Sequence, residues 1–189
     1  MVRAIEISVG DTRIPIAVVM LRNGKPESMA DHTVKFTMLD SDDAVIVAET
    51  STNVSIHPTF TITASASTNR IIKTEHRVEN GDRIIFANSG GALPAGLTAA
   101  NKYYARDCDD DSFRVSDTLN GSPVDITGAG TGTHTAYIVG EVTYSLSSGA
   151  VAIAGNYRCW FRAYESTSPS TVPVGEGIPI IIHARSFSG

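Results

Sequence analysis

A period of two in the apolar residues is the feature that most constrains this chain. In an extended strand neighbouring side chains point to opposite faces, so alternation marks a strand with one face buried. Ile5, Ile7 and Val9 alternate with Glu6 and Ser8. After a polar turn at Gly10-Asp11, Ile14, Ile16, Val18 and Met20 fall on one face, and Ala17, Val19 and Leu21 make the other face apolar too. A strand covered on both sides reads this way. Asn23-Gly24-Lys25-Pro26 is a turn, because Asn-Gly tolerates positive φ and proline cannot sit in a central strand. Val34, Phe36 and Met38 alternate next. Asp40-Ser41-Asp42-Asp43 then turns the chain into Ala44-Val45-Ile46-Val47-Ala48, and Val54 and Ile56 follow.

The same grammar returns near the C-terminus. Tyr137, Val139, Val142, Tyr144 and Leu146 predict one strand, with Gly140 as a bulge, and Ser147-Ser148-Gly149 turns it. Tyr157, Cys159, Phe161 and Ala163 alternate with Arg158, Trp160, Arg162 and Tyr164. The last strand runs from Ile178 to Ile182, and Pro179 places it at an edge or at a strand start. A helical period is nearly absent. Ala95 to Arg106 has room for one turn of helix, but Tyr103-Tyr104 favours a strand.

Residues 59–136 have a different texture. They carry two glycine-rich loops, Ser89-Gly90-Gly91 and Gly128-Ala129-Gly130-Thr131-Gly132, and short strands at Arg83–Ala87, Lys102–Asp107 and Ser112–Ser116. The flanks, residues 1–58 and 137–189, total about 110 residues, which suits a β-sandwich of about seven strands. The fold class is therefore all-β, with residues 59–136 a small β-domain inserted between two strands of a sandwich. Insertion at an exposed turn is tolerated because loop-closure entropy rises slowly with length.

Composition excludes several function classes. A formal charge of -5 argues against a nucleic-acid partner, which requires a basic face to displace counterions. No apolar run is long enough to span a bilayer, so no membrane partner is expected. Residues 1–11 lack the apolar core of a signal peptide and alternate like a strand. Cys108 and Cys159 are too few for a disulfide framework and read as two small buried hydrophobes made in a reducing cytosol.

No catalytic, cofactor or metal residue is expected. The run Asp107-Cys108-Asp109-Asp110-Asp111 suggests calcium, but an EF-hand loop counted from Asp107 needs glycine where Ser112 stands and glutamate where Thr118 stands. A solvated turn explains it, and explains Asp40, Asp42 and Asp43. His32, His57, His76, His134 and His183 are scattered without zinc spacing. Gly128 to Gly132 leads into a strand and lacks the lysine of a phosphate loop. No G-x-S-x-G elbow is present. Glu141 and Glu165 are candidate carboxylates for a depolymerase, although spacing says nothing of their separation. Arg158, Trp160, Arg162 and Tyr164 share one strand face opposite the apolar one, and these residue types are enriched at interface hot spots. They form a candidate protein-contact surface, unless the insert covers that face.

Two sets of motifs carry resemblances. One is Asp11-Thr12-Arg13-Ile14-Pro15-Ile16, Asn23-Gly24-Lys25-Pro26 and Val34-Lys35-Phe36-Thr37-Met38, continued by Val142-Thr143-Tyr144, Ala154-Gly155-Asn156-Tyr157-Arg158-Cys159-Trp160-Phe161 and Val172-Pro173-Val174-Gly175-Glu176-Gly177. In order and spacing it resembles the N-terminal Ig-like domain of the phage baseplate upper protein family. The other runs from His76-Arg77-Val78-Glu79-Asn80-Gly81-Asp82-Arg83 through Leu93-Pro94-Ala95-Gly96-Leu97 and Phe113-Arg114-Val115-Ser116 to Gly128-Ala129-Gly130-Thr131-Gly132-Thr133-His134. It is similar to a small β-module recurrent in tailed-phage structural proteins.

The resemblances imply an Ig-like sandwich that docks one virion protein to another. The expectation is a non-enzymatic structural subunit of the tail or baseplate, located in the virion, oligomeric there, with other phage virion proteins as partners. Capsid decoration or a head–tail joint is the alternative within that class. A receptor- or carbohydrate-binding module is the alternative outside it.

Overall fold

The computed structural model describes residues 5–22, 25–165, 168–173 and 178–184, with side chains for all of these except 22, 165 and 168–173. The structure is all-β, with 51% strand and, among the described residues, no helix. The strands are β1 (Ile5–Ser8), β2 (Ile16–Val19), β3 (Leu21–Arg22), β4 (Lys25–Pro26), β5 (His32–Asp40), β6 (Val45–Thr50) and β7 (Val54–Ile56). Then come β8 (Phe60–Ser65), β9 (Arg70–Ile72), β10 (Arg83–Ser89), β11 (Lys102–Arg106), β12 (Ser112–Ser116) and β13 (Thr133–Ile138). The last are β14 (Glu141–Tyr144), β15 (Gly155–Glu165), β16 (Ser168–Pro173) and β17 (Ile178–His183). The chain divides into two compact units, residues 1–56 with 140–189 and residues 57–139.

The core of the first unit lies between two sheets. The larger has the order β1-β17-β15-β5-β6, with β16 beside β15; the smaller has the order β2-β14-β7. β1 runs parallel to β17, and the remaining pairs are antiparallel. Alternation explains why the sheets close on each other. Val34, Phe36 and Met38 of β5, Tyr157 to Ala163 in steps of two on β15, and Ile178, Ile180 and Ile182 of β17 meet Ile16, Val142 and Tyr144. Phe36 stacks on Tyr144 across the core with ring centroids 3.8 Å apart, and Phe161 packs edge-on against Phe36 at 5.1 Å. The Tyr157 hydroxyl donates to the Ile153 carbonyl at 2.9 Å and pins the loop that precedes β15.

Two expectations for this unit are corrected. Ile14 is 56% exposed rather than inward, because Asp11 accepts a bond from the Arg13 amide at 3.0 Å and keeps residues 11–14 in a turn ahead of β2. Of the two places expected for Pro179, the structure shows the strand start. β17 is interior, and proline fits because the ladder to β1 begins only at Ile180. The strand expected from Tyr137 through Leu146 is two strands, β13 and β14, in different units. Gly140 is their joint rather than a bulge, at φ +82, and a Cβ there would lie 2.9 Å from the carbonyl oxygens of Met20 and Glu27. Tyr137 therefore belongs to the inserted unit. Asn23, Gly24 and Val174 to Gly177 lie outside the described residues; β3 and β4 pair on either side of the first two.

The second unit is a closed six-stranded barrel, in the order β10-β11-β12-β9-β8-β13 and back to β10, with all pairs antiparallel. Closure leaves no unpaired edge, which suits a domain too small for much core. Ile71, Ile84, Phe86, Tyr103, Phe113 and Ile126 fill it and are fully buried. No helix forms between Ala95 and Arg106; β11 takes its place.

Each unit brings its cut ends together. β7 and β14 are antiparallel neighbours with Ile56 opposite Val142, so the insert stands where a hairpin turn would. β8 and β13 pair Phe60 with Ala136, so the barrel's own ends also meet. Phe36→Ala should remove the central stack and cost about 3–5 kcal/mol. Urea unfolding followed by Trp160, the single tryptophan and part of the sandwich, should show a lower midpoint at unchanged slope.

Candidate interaction site

The alternation on β15 sorts its residues as expected. Tyr157, Cys159, Phe161 and Ala163 are buried, while Arg158 and Arg162 are exposed and Trp160 and Tyr164 are half-buried on the other face. β5 pairs with β15 from Tyr157↔Asp40 to Glu165↔His32, so Lys35 and Thr37 stand beside Arg162 and Trp160. β6 brings Glu49 to the same face.

Glu49 organises the site. It accepts the Tyr164 hydroxyl at 2.7 Å and faces Lys35 at 3.3 Å and Arg162 at 3.4 Å. The Tyr164 bond, with Lys35 and Arg162, holds its carboxyl below the ordinary value. Lys35 also lies over the Tyr164 ring, 4.9 Å from its centroid. Arg158 pairs with Asp43 and stands 5.9 Å from the centre of the Trp160 ring. Exposed pairs of this kind add little stability, but they hold long side chains in fixed rotamers and so lower the entropy lost on docking. The face thus brings together all four expected residues. It also recruits Lys35 and Glu49, which were not singled out, and Asp43, which was read only as part of an acidic turn. Lys35 was legible as the odd member between Val34 and Phe36. Glu49 was not, because two register shifts separate β6 from simple alternation against β5.

The other sequence candidates have structural roles. Asp107 is bonded first by Arg106 and also by Arg114, which lowers its carboxyl. Asp109 loses water, which raises its carboxyl, but the Asp111 amide, the Ser112 hydroxyl and amide and Arg70 together lower it. The two glycine-rich loops bind each other: the Thr131 amide donates to the Ala92 carbonyl at 2.8 Å and the Ala95 amide to the Gly128 carbonyl at 3.0 Å. His134 clamps the second loop to β10 through Asn88 at 2.7 Å and the Ala129 carbonyl at 3.1 Å. A Cβ on Gly130, at φ +75, would lie 2.5 Å from the Ala92 carbonyl oxygen, so the glycines serve backbone approach.

Glu141 is 2% exposed on β14, a strand buried along its whole length, so it lines no open groove. The Glu165 side chain lies outside the described residues. Cys159 is buried, and burial pushes its thiol up to about 12. Cys108 is only half-buried, a correction to its expected burial, because it sits in the polar loop between β11 and β12, where the side chain of Asn80, from the segment before β10, accepts its amide at 3.1 Å. Loss of water and nearby Asp82 still push its thiol up to about 11. Neither thiol is ionised at neutral pH, so neither is an activated nucleophile.

No family model, curated protein or solved structure matches this chain.

Two measurements follow from these contacts. Gly130→Ala should destabilise the barrel by about 1–3 kcal/mol through strain at a left-handed position, read by thermal unfolding. His57 stacks on Tyr137 at 5.0 Å, and loss of water lowers its pKa. The unfolded chain therefore binds the proton first, and stability should fall as pH drops below His57's ordinary value of 6.5. Stability held by Glu49, Asp107 and Asp109 is lost only nearer and below the ordinary carboxylate range, as pH falls through their lowered values. His57→Asn, which tolerates the φ of +49, should remove the first stage and leave the second, in urea midpoints taken across pH.

Proposed function

We propose that this chain is a non-enzymatic structural subunit of a tailed-phage virion, and that its sandwich docks to another virion protein of the tail or baseplate. The observation that carries the reading is the outer face of β15. Trp160, Tyr164, Arg158 and Arg162 are held there by contacts within their own sheet, opposite a fully packed core. Aromatic and arginine side chains with fixed rotamers make strong interface anchors.

The strand order supports an Ig-like sandwich, as the resemblance to the baseplate upper protein family implies. With the barrel left out, β2-β14-β7 and β17-β15-β5-β6 follow the order of strands B-E-D and G-F-C-C′ in immunoglobulin-type sandwiches. Tyr157, two residues before Cys159, bonds back to Ile153 as in the tyrosine corner of that fold. The small β-module resemblance of the insert points to the same class of virion proteins.

Immunogold labelling of intact particles should place the protein on the tail or baseplate. Labelling of the capsid would favour a decoration role, and absence from the particle would defeat the structural reading. Trp160→Ala combined with Arg162→Ala should leave the fold intact by circular dichroism. It should also lower incorporation into particles at least tenfold, since anchors of these types each contribute about 2 kcal/mol or more. A glycan array bound by the wild type and lost in this variant would instead favour the carbohydrate-binding module.

A further inference from the structure

An asparagine followed by glycine can lose its side-chain amide, because glycine has no Cβ to keep its own nitrogen away from the asparagine side chain. The sequence holds three such pairs, Asn23-Gly24, Asn80-Gly81 and Asn120-Gly121. The last two lie among the described residues, and the barrel holds them differently.

Asn80-Gly81 is stitched to β11 and the loop after it. The Asn80 Oδ1 accepts the Cys108 amide at 3.1 Å. The Gly81 amide donates to the carbonyl of buried Ala105 at 2.8 Å, and the Ala105 amide donates back to the Asp82 carbonyl at 2.8 Å. The side chain and the nitrogen that would react are therefore both engaged. Moving the side chain would also leave the Cys108 amide without this acceptor, which is costly.

Asn120-Gly121 sits in a turn after β12. Asn120 is exposed, and among the described residues no hydrogen bond holds its side chain. Its φ of +59 is left-handed, so rotation toward the ordinary regions releases strain. The Gly121 amide donates to the Thr118 carbonyl at 2.8 Å, beside exposed Leu119. Such a bond opens by local fraying, whereas the bonds of Gly81 open only when its segment parts from β11.

We propose that Asn120 is a site of spontaneous deamidation and that the fold protects Asn80 from the same reaction. The Gly121 nitrogen gives up its proton and bonds to the carbonyl carbon of the Asn120 side chain. The bond from that carbon to the side-chain nitrogen breaks, and the nitrogen leaves as ammonia, carrying the proton. One solvent water then opens the five-membered imide at either carbonyl. One opening gives aspartate. The other gives isoaspartate, in which the main chain runs through the former side-chain carbon. Either product adds one negative charge to a chain of formal charge -5. Isoaspartate also lengthens the main chain beside two ties, the Arg106 guanidinium to the Gly121 carbonyl and the Ser116 hydroxyl to the Thr118 carbonyl at 2.8 Å. It thereby loosens the start of the segment that carries Ile126 into the barrel core. The site stands apart from the docking proposal, since it lies in the other unit.

The test is peptide mapping by mass spectrometry of the full chain, aged in mildly alkaline buffer both folded and in urea. In urea the Asn80 and Asn120 peptides should convert at similar rates, because the reacting pair is the same. In the folded chain Asn120 should convert at least about tenfold faster than Asn80, the factor that one unsatisfied backbone amide represents. Isoaspartate and aspartate should both appear at position 120. A folded chain that keeps the Asn120 amide while the unfolded chain loses it overturns the proposal. So does a folded chain in which Asn80 converts as fast as Asn120.

Discussion

The pairing of β7 with β14 is the constraint on which the rest of the sandwich depends. β14 is the central strand of the smaller sheet, yet the chain reaches it only after the barrel is complete. Without β14, β2 and β7 have no strand partner among the described residues, and Phe36 loses the ring of Tyr144. The insertion is compatible with a stable sandwich because Ile56 and Val142 are opposite each other. The cost of closing so long a loop grows only with the logarithm of its length, and the barrel satisfies its own hydrogen bonds by closing on itself. Gly140 makes the return between the Met20 and Glu27 carbonyls that no side chain could approach.

Polar residues in this chain mostly serve the backbone or one another. Asp107 and Asp109 after β11 are held by arginines of the barrel, and the glycine-rich loops are zipped together by main-chain bonds. These are the features that, in sequence, invite a calcium or phosphate reading. Their partners were not legible because Arg70 and Asp109, or Ala92 and Thr131, are joined only by the barrel. The outer face of β15 differs. Its side chains are fixed by neighbouring strands, with Arg158 and Arg162 exposed and Trp160 and Tyr164 half-buried.

Much of the larger sheet could be read from period two alone, because a strand with one buried face must alternate. Arg158, Trp160, Arg162 and Tyr164 were placed on a common face by that rule, and the structure places them so. The rule fails where one alternating run crosses between units, as from Tyr137 to Leu146. Both halves are strands, so periodicity carries no mark of the change in partner. It also fails at β6, whose bulges break the phase and hid Glu49.

The sequence by itself therefore determined the strand content, the inner and outer faces of β5, β15 and β17, and the presence of a second β-texture in the middle. Those properties are local, set by side-chain alternation and turn residues. The tertiary structure alone decided that the middle closes into a barrel, that β14 rather than β13 returns to the sandwich, and that Glu49 ties the outer face together. Each is a matter of which strand lies beside which, and strand pairing joins residues far apart in sequence through backbone groups that every residue shares.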